Sequence, residues 1–514
     1  MSVDAFSLSV FRSLFEGIAE EMGSALARSA FSPNIRERLD FSCALFDPVG
    51  QLVAQAAHIP VHLGSMPDLV AELAQLPTQP GDVLAANDPY AGGTHLPDIT
   101  LVAPCYRHQQ LIGWAAARAH HADVGGMTPG SMPVSREIFQ EGLRIPPVYL
   151  FRAGQRQEDL WRLILANVRT PDEREGDLLA QLAACHTAAR RLDELVDRYG
   201  LDQVLAHQQA LLDYSQRLTE EALSALPAGQ ASAEDVLELA GQTYPVRVRV
   251  VLEERRARLD FAGSAPCLAG PLNAPLPVTK AAVYYVFRCL LGDHIPANQG
   301  AFRPLVIEAE PGTVVRATPP AAVVAGNVET SQRIVDVVWA ALAQLLPEVA
   351  PAASAGTMNN LAMGGEHQGR PFAYYETMGG GCGASAAGSG EHGVQVHMTN
   401  TRNTPAEALE SEMPLRIRHY GLRRGSGGEG KHRGGDGICR VIEFLAPARV
   451  SLLSSRRLQG PPGANGGGPG LPGRQLRTRD GEEVELPGQF QEDFLTGDVL
   501  RLETPGGGGW GAPE

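Results

Sequence analysis

Several features that identify common protein classes are missing from this 514-residue sequence. It has no continuous apolar stretch of about 18 residues, and its N-terminus, MSVDAFSLSV, has neither a basic nor a long apolar segment. We therefore expect no membrane span and no secretory signal. A formal charge of −15 would repel phosphate backbones, so nucleic acid is not an expected partner. These absences predict a cytoplasmic protein.

Cysteine is scarce and has no motif spacing. The seven cysteines are odd in number, scattered along the chain and never spaced as CxxC, so they indicate neither a disulfide framework nor a thiolate metal site. We expect them to be small buried hydrophobic residues. The sequence also has no G-x-S-x-G elbow, and no cysteine has an evident activating neighbour, so an independent serine or cysteine hydrolase is not supported.

One string resembles a nucleotide-binding loop but lacks two of its essential parts. Residues 425–432 read GSGGEGKH, in which His432 stands where a P-loop has the Ser or Thr that binds Mg²⁺. The sequence that follows, RGGDGICRVIEF, is typical of glycine turns and a strand, whereas a P-loop lysine opens a helix. We predict no ATP site here, and little or no ATP binding by this chain alone.

The composition is that of a folded globular protein, with 44% hydrophobic and 20% charged residues. The patterns predict an α+β fold, which is a large mixed α/β body with antiparallel strands, a long helical arm and a glycine-rich β C-terminal region. An amphipathic helix is expected over residues 6–31, and Gly200 is expected to break the helical arm. The predicted regions are 1–155 (N-terminal α/β, with the metal-site motifs), 156–230 (helical arm), 231–378 (mixed α/β middle) and 379–514 (glycine-rich β).

Potential metal ligands are densest between residues 87 and 123. The segment NDPYAGGTHLPD ends with His95 and Asp98, and AHHADVGG contains His120, His121 and Asp123. Two β-type runs, ITLVAPCY and LIGWAAA, lie between the motifs, and as a hairpin they would bring His95 and Asp98 opposite His120 and Asp123. Imidazole and carboxylate ligands together suit Zn, Mn or Fe(II). The spacing therefore predicts a divalent transition-metal site.

Other interpretations of these residues stay open. His120 and His121 are also typical of core or surface histidines, and the neighbouring aspartates are typical of turn caps. Asp40 is placed either to complete the metal shell or only to begin a strand after a charge run. His58 and His62 are further candidates, as ligands or as structural residues.

Nine ordered blocks of the sequence resemble the hydantoinase B/oxoprolinase family, and they run from about residue 5 to the C-terminus. The blocks are SPNIRERLDFSCALFD, HIPVHLGSMPD, NDPYAGGTHLPDITLVAP, HHADVGGMTPGSMP, NVRTPDEREGDL, GNVETSQRIVDV, MGGGCGA, TNTRNTPAEALE and GGEGKHRGGDG.

The resemblance implies a B-type subunit that pairs with an A-type ATPase subunit of sugar-kinase-like fold, in a hetero-oligomer that opens hydantoins, 5-oxoproline or related lactams. ATP and Mg²⁺ would bind to the partner. The expected mechanism is phosphorylation of the amide oxygen by the partner, followed by attack of a metal-bound water on the activated carbon. The alternatives are a subunit of an acetone carboxylase-type enzyme, or a non-catalytic scaffold for the A-type partner.

The resemblance also implies roles for particular residues. In the carboxylase branch the metal is held through the His and Asp of HLPD and the His that opens HxxD, which here are His95, Asp98 and His120. Asp40, and after it Asp123, are candidates for a further ligand or for orienting a histidine. His121 stands where many relatives have an aromatic residue, and its role is open between a ligand, a general base and neither. The candidates for moving a proton during catalysis are His121 and Asp123.

Overall fold

The computed structural model describes residues 3–56, 59–62 and 64–513, so His58 lies outside the described residues. The helices are α1 (Ala5–Ser29), α2 (Pro33–Arg36), α3 (Met66–Leu73), α4 (Glu158–Ala166), α5 (Pro171–Tyr199), α6 (Leu201–Ser224), α7 (Leu276–Leu291), α8 (Gln299–Phe302), α9 (Ser331–Leu345) and α10 (Ala406–Glu412). Within these described ranges, no helix is long and apolar enough to cross a membrane.

Strands make up most of the remaining regular structure. They are β1 (Phe41–Phe46), β2 (Leu52–Ala56), β3 (Val83–Ala86), β4 (Asp98–Arg107), β5 (Gln110–His120), β6 (Val148–Arg152), β7 (Gln155–Arg156), β8 (Gly229–Leu239), β9 (Gln242–Glu253), β10 (Arg256–Asp260), β11 (Leu305–Glu308), β12 (Asn360–His367), β13 (Arg370–Glu376), β14 (Leu415–Arg423), β15 (Gly437–Phe444), β16 (Ala448–Leu453), β17 (Arg474–Arg479), β18 (Glu482–Glu485), β19 (Gln489–Phe494) and β20 (Val499–Glu503).

The N-terminal body is an antiparallel sheet in the order β2-β1-β5-β4-β3-β6-β7. Successive side chains of a strand face opposite sides of its sheet. In β1, Cys43 and Leu45 pack in a core with α1 and α5, whereas Ala44 and Phe46 pack in a second core with α3, α7 and α9. Because β1 is buried on both sides, its sequence FSCALF is apolar except for Ser42 and shows no regular polar alternation.

The predicted helical region packs along this sheet. Helix α5 buries Leu178, Ala184 and Leu192 in the core that it shares with α1 and the sheet. Gly200 ends α5 and directly precedes α6, with φ at 87°, a conformation that favours glycine. The predicted break is therefore confirmed, and the three helices α4, α5 and α6 follow one another with short connections.

The C-terminal half adds three smaller sheets. Their strand orders are β11-β10-β9-β8, β13-β12-β16-β19 and β14-β15-β20-β17-β18. Apart from the parallel pair β10 and β11, neighbouring strands in these sheets run antiparallel. The mixed α+β architecture with mostly antiparallel strands confirms the predicted fold class.

Glycine-rich segments outside the helices and strands join these sheets into one packed unit, which we call the glycine bundle (residues 380–383, 426–435, 460–470 and 504–511). Its segments are connected by main-chain hydrogen bonds, such as Gly428 N–H to the Gly507 carbonyl at 2.8 Å. A Cβ built on Gly507 would lie 2.0 Å from the Cys382 carbonyl oxygen, and one on Gly434 would lie 2.0 Å from the Gly507 oxygen. At these glycines the segments approach each other too closely for a side chain.

The P-loop-like string at residues 425–432 belongs to this bundle. The segment that follows leads into β15, which begins at Gly437, and no helix opens at Lys431. The prediction of glycine turns followed by a strand is therefore confirmed.

The cysteines form no disulfide within the described residues. Cys43, Cys105, Cys185 and Cys439 are buried as predicted. For Cys289 the prediction of burial is wrong, because this residue near the end of α7 is exposed.

Candidate metal centre

His95, Asp98 and His120 converge where β4 begins and β5 ends. The Nε2 atom of His95 lies 3.0 Å from Asp98 Oδ1, and Nδ1 of His120 lies 3.2 Å from the same oxygen. The two ring nitrogens are 3.2 Å apart. Ligands about 2.1 Å from a tetrahedral ion are separated by roughly 3.4 Å, so only small shifts would place these three atoms around one cation. All three residues are buried.

Backbone geometry brings these residues together. The hairpin register places Asp98 directly opposite His120. Before the hairpin, the chain must pass close to α3, because a Cβ on Gly92 would lie 2.6 Å from the backbone of Leu69. Gly92 also has φ at 87°, so only glycine suits this turn into the HLPD segment.

Further contacts orient the three side chains. The Nδ1 of His95 is 3.1 Å from the Val324 carbonyl oxygen, which as an acceptor fixes the proton on Nδ1 and leaves Nε2 for the cluster. Thr94 donates its hydroxyl proton to Asp98 Oδ2 at 2.6 Å. The His120 ring stacks on Tyr375 with centroids 4.5 Å apart. His120 Nε2 is buried and has no hydrogen-bond partner in the described part of the chain.

The charges within the cluster shift its pKa values. Burial alone would raise the pKa of Asp98, but the neighbouring histidines, His95 first among them, hold it well below its usual range. Burial lowers the pKa of His120, and Asp98 opposes that effect only in part. Burial acts in the same direction on His95, but there the charge of Asp98 outweighs it and the pKa is raised. Asp98 therefore remains ionised, as a metal-binding carboxylate must be.

A small cavity adjoins the cluster. Its volume is about 20 Å³, which is room for roughly one water molecule. Asp98 and His120 line it, together with Asp40, His62 and Tyr375. A larger open cleft of about 830 Å³ lies next to it. Residues 394–402, which we call the wall segment, contribute to both spaces, and Thr401 lines each of them.

The structure places Asp40 and His62 at the edge of the cluster. His62 Nε2 is 3.4 Å from Asp98 Oδ2, and its Nδ1 is 3.0 Å from the Ser42 hydroxyl. Asp40 lines the cavity, with its carboxylate 3.9 Å from the Arg38 guanidinium. Its carbonyl oxygen accepts the His120 N–H at 3.0 Å. Asp40 is therefore near the cluster without belonging to its closest group of ligand atoms.

His121 and Asp123 are not brought into the cluster. His121 directs Nε2 to Gln181 on α5 at 2.9 Å. Asp123 accepts hydrogen bonds from the N–H groups of Gly125 and Gly130 and pairs with the Arg169 guanidinium at 3.0 Å. Its oxygens are thus occupied by the loop that follows β5 and by Arg169, which precedes α5.

The cavity is also lined by Asn327, Tyr375 and Thr401, which were not among the residues predicted from the sequence. Asn327 and Thr401 lie in two of the blocks quoted for the family resemblance, GNVETSQRIVDV and TNTRNTPAEALE. Asn327 belongs to a π-helical turn, Gly326–Thr330, that continues into α9. Such turns are frequent at functional sites, but no local sequence pattern announces them.

Comparison with known proteins gives a consistent result. A family model described as hydantoinase B/oxoprolinase matches residues 4–513. The chain is 41% identical to 5-oxoprolinase 1 of Arabidopsis thaliana, covering 99% of this chain but only 42% of that protein. It is 32% identical to a protein of Pseudomonas sp. (strain NS671) that is named as the B-type subunit of a D-/L-hydantoinase, covering 99% of this chain and 90% of that one.

Two solved structures share the fold. An ATP-dependent caprolactamase from Pseudomonas jessenii superposes with a TM-score of 0.93 at 30% identity, covering all of this chain and 92% of that one. A nucleotide-free acetone carboxylase superposes with a TM-score of 0.91 at 18% identity, covering 98% of this chain and 75% of that one. At such low identity, the likeness to the carboxylase concerns the fold alone.

Proposed function

Because the chain belongs to the hydantoinase B/oxoprolinase family, we propose that it is the B-type subunit of an ATP-dependent cyclic-amide hydrolase. Its substrate would be a hydantoin, 5-oxoproline or another lactam whose amide oxygen an A-type ATPase subunit has phosphorylated. The observation that carries this proposal is the buried group of His95, Asp98 and His120 beside a cavity and an open cleft. The relatives named as a hydantoinase subunit and a caprolactamase support it.

His95, Asp98 and His120 would hold a divalent Zn, Mn or Fe ion. The donor set of two imidazoles and an ionised carboxylate suits these metals, and the unpaired buried Nε2 of His120 is unusual for a purely structural histidine. When bound, such an ion supplies Lewis acidity, which makes water nucleophilic at neutral pH and polarises a substrate oxygen. Asp40 is the candidate for a further ligand.

The chain's own residues prepare the site. Asp98 contacts both ligand histidines, and the Val324 carbonyl fixes the tautomer of His95. The cavity has room for about one water molecule, so few waters fit beside the cluster. The cleft, at about 830 Å³, is within the size range of small-molecule sites and accommodates a lactam carrying a phosphoryl group.

The phosphoryl group must come from a partner. The P-loop-like string is part of the glycine bundle and lacks the helix that a phosphate cradle requires. We therefore expect isothermal titration of the isolated chain with Mg–ATP to give no micromolar binding. Micromolar affinity would contradict the assignment of ATP to an A-type subunit.

The decisive test is reconstitution with an A-type subunit, with ADP and the ring-opened product measured separately. Asp98→Asn keeps the size of the side chain but removes the charge, so we expect loss of bound metal and at least about a 100-fold loss of product. His186→Gln, an exposed change on α5, is the matched control. Undiminished turnover by His95→Ala, with unchanged metal content, would refute the site.

The same assay separates the two other functions. Carboxylation of a small ketone would give bicarbonate-dependent ADP formation and no ring-opened product. A scaffold would contain no stoichiometric transition metal, and ligand substitutions would leave the activity of the complex unchanged.

A further inference from the structure

The wall segment carries a histidine that lines the open cleft. His397 adopts φ at 55°, a conformation that is rare for residues other than glycine. The next two residues, Met398 and Thr399, line the cavity beside the metal cluster. His397 therefore lines the cleft, while the residues that directly follow it line the cavity of the candidate metal centre. Backbone strain of this kind is often found at functional sites.

A buried carboxylate stands behind the His397 ring. Nε2 of His397 lies 3.5 Å from Oδ1 of Asp336 on α9, and Asp336 is only 6% exposed. Within the described residues neither ring nitrogen of His397 makes a hydrogen bond, and Nε2 is buried. No hydrogen bond joins the two groups, but the negative charge of Asp336 beside Nε2 favours the proton of the neutral ring on that nitrogen and leaves Nδ1 as the basic nitrogen. Hydrolytic triads also pair a histidine with an aspartate, with the roles of the two ring nitrogens exchanged.

Further charged groups fix Asp336 in place. Arg333 and Arg456 contact its Oδ2 at 3.0 Å and 2.8 Å, and both guanidiniums also contact Asp235. Burial would raise the pKa of Asp336, but His397, Arg456 and Arg333 lower it to about 2. Two arginines balance two aspartates, which keeps the carboxylate ionised and anchors its Oδ2, while Oδ1 faces His397.

Tyr285 on α7 packs against His397 from another direction. The two rings meet edge to face, with centroids 5.9 Å apart. With Asp336 on one side and Tyr285 on another, the imidazole has little freedom to turn. A cleft histidine that is oriented this closely suits proton transfer better than it suits a purely structural role.

We propose that His397 is the proton carrier of ring opening and that Asp336 is its positioning residue. This inference rests on the proposed function. It assigns proton transfer to His397 instead of His121, whose ring donates a hydrogen bond to Gln181 on α5. In the first step, Nδ1 of His397 takes a proton from water while the water oxygen bonds to the carbon that carries the phosphorylated oxygen. The electron pair of the C=N bond moves to the ring nitrogen, which has kept the hydrogen of the amide and becomes a neutral amine.

In the second step, Nδ1 returns its proton to the ring nitrogen, and the C–N bond breaks with its electron pair going to nitrogen. The hydroxyl oxygen left by the attacking water forms the new C=O bond and releases its proton, which the freed amine takes up. The phosphorylated oxygen stays bonded to the carbonyl carbon, so this step yields an acyl phosphate, which a second water hydrolyses to the carboxylate and inorganic phosphate. Imidazole is regenerated, and both protons of the attacking water end on the amine, so no external acid or base is consumed.

The leaving group explains why this proton transfer is needed. Without a proton donor, the ring nitrogen would leave as an amide anion, which is a very poor leaving group. A single histidine is sufficient, because the proton that it takes from water is the one that it gives to nitrogen.

The test uses His397→Gly in the reconstituted complex, because glycine tolerates the unusual φ and leaves space for added imidazole. We expect product formation to fall by about 10²–10⁴-fold while lactam-dependent ADP formation continues. Free imidazole should restore much of the lost rate. Asp336→Asn should lower kcat with little change in KM, and His186→Gln is again the control.

The possible outcomes separate the two proposals. If the wild-type complex opens no cyclic amide, the proposed function fails and this inference fails with it. If the wild type is active and His397→Gly keeps its rate within about threefold, only the role of His397 is refuted. A loss of rate that imidazole does not restore, in a variant with unchanged melting temperature and metal content, also refutes proton transfer by His397.

Discussion

At the residue scale, adjacent histidines have different surroundings because they follow the alternation of β5. Ala115, Ala117 and Ala119 face the core that contains α5, whereas Ala116 faces the other core. Continuing this pattern places His120 on the cluster side and His121 on the α5 side. His120 and His121 are adjacent in the sequence, but the strand geometry directs their side chains to opposite sides of the sheet.

A substitution at His121 tests this division. His121→Phe removes the donor to Gln181 Oε1, which would be left unpaired in the core. We expect the free energy of unfolding to fall by about 1–3 kcal/mol. Metal content and ring opening should stay within about threefold of wild type. A loss of turnover in a well-folded variant would show that His121 takes part in catalysis.

A buried carboxyl group behind His95 makes stability depend on pH. Glu141 Oε1 accepts the N–H groups of Val323 and Val324, and burial raises the pKa of Glu141 to about 7. Its carboxyl group is protonated more readily in the folded state than in the unfolded one. Its contribution to stability is thus fully present below pH 4.5 and is lost as pH rises through 7.

Glu141→Gln keeps the acceptor oxygen and removes the ionisation. Urea denaturation between about pH 5 and pH 8 should show the wild type losing up to about 1.4 kcal/mol per pH unit relative to this variant. Equal pH dependence of the two proteins would show that Glu141 ionises freely in the fold.

At the scale of elements, the sequence pattern of a segment predicted those structures that depend on that segment alone. Apolar runs separated by turns predicted the β4–β5 hairpin, and its register then placed Asp98 opposite His120. Asn327, Tyr375 and Thr401 join the same cavity from more than 200 residues further along the chain. Their positions depend on how sheets and helices pack, which no pattern within one segment encodes.

The turn before the HLPD segment gives a prediction at this scale. Gly92 and Gly154 both have positive φ, but only Gly92 is crowded by neighbouring backbone. Alanine is strained at both positions, so the difference between the variants measures the crowding. We expect Gly92→Ala to cost at least about 2 kcal/mol more in unfolding free energy than Gly154→Ala, and to weaken metal binding. Equal costs would show that the turn moves freely relative to α3.

At the scale of the whole molecule, the glycine bundle connects distant segments without side chains. A Cβ on Gly507 would meet carbonyl carbon and oxygen atoms of the neighbouring backbone, whereas one on Gly388 meets nothing within 4 Å. We expect Gly507→Ala to lower the free energy of unfolding by more than about 3 kcal/mol, and Gly388→Ala by less than about 1 kcal/mol. Guanidinium denaturation of both variants is the measurement, and similar values would show that the segments can separate at little cost.

The glycine bundle also sets an order of assembly during synthesis. Residues 504–511 bond to residues 426–435, to Gly381 and to Ala384, so these partners leave the ribosome well before they do. Until then, the N–H groups of Gly428, Lys431 and His432 lack the carbonyl partners that residues 504–511 supply. Closing loops of about 70 or more residues late and all at once is slow, because the entropy of the chain must be overcome before any bond compensates for it. We therefore expect the newly made C-terminal half to expose part of its backbone to proteases and chaperones until residues 504–511 are in place.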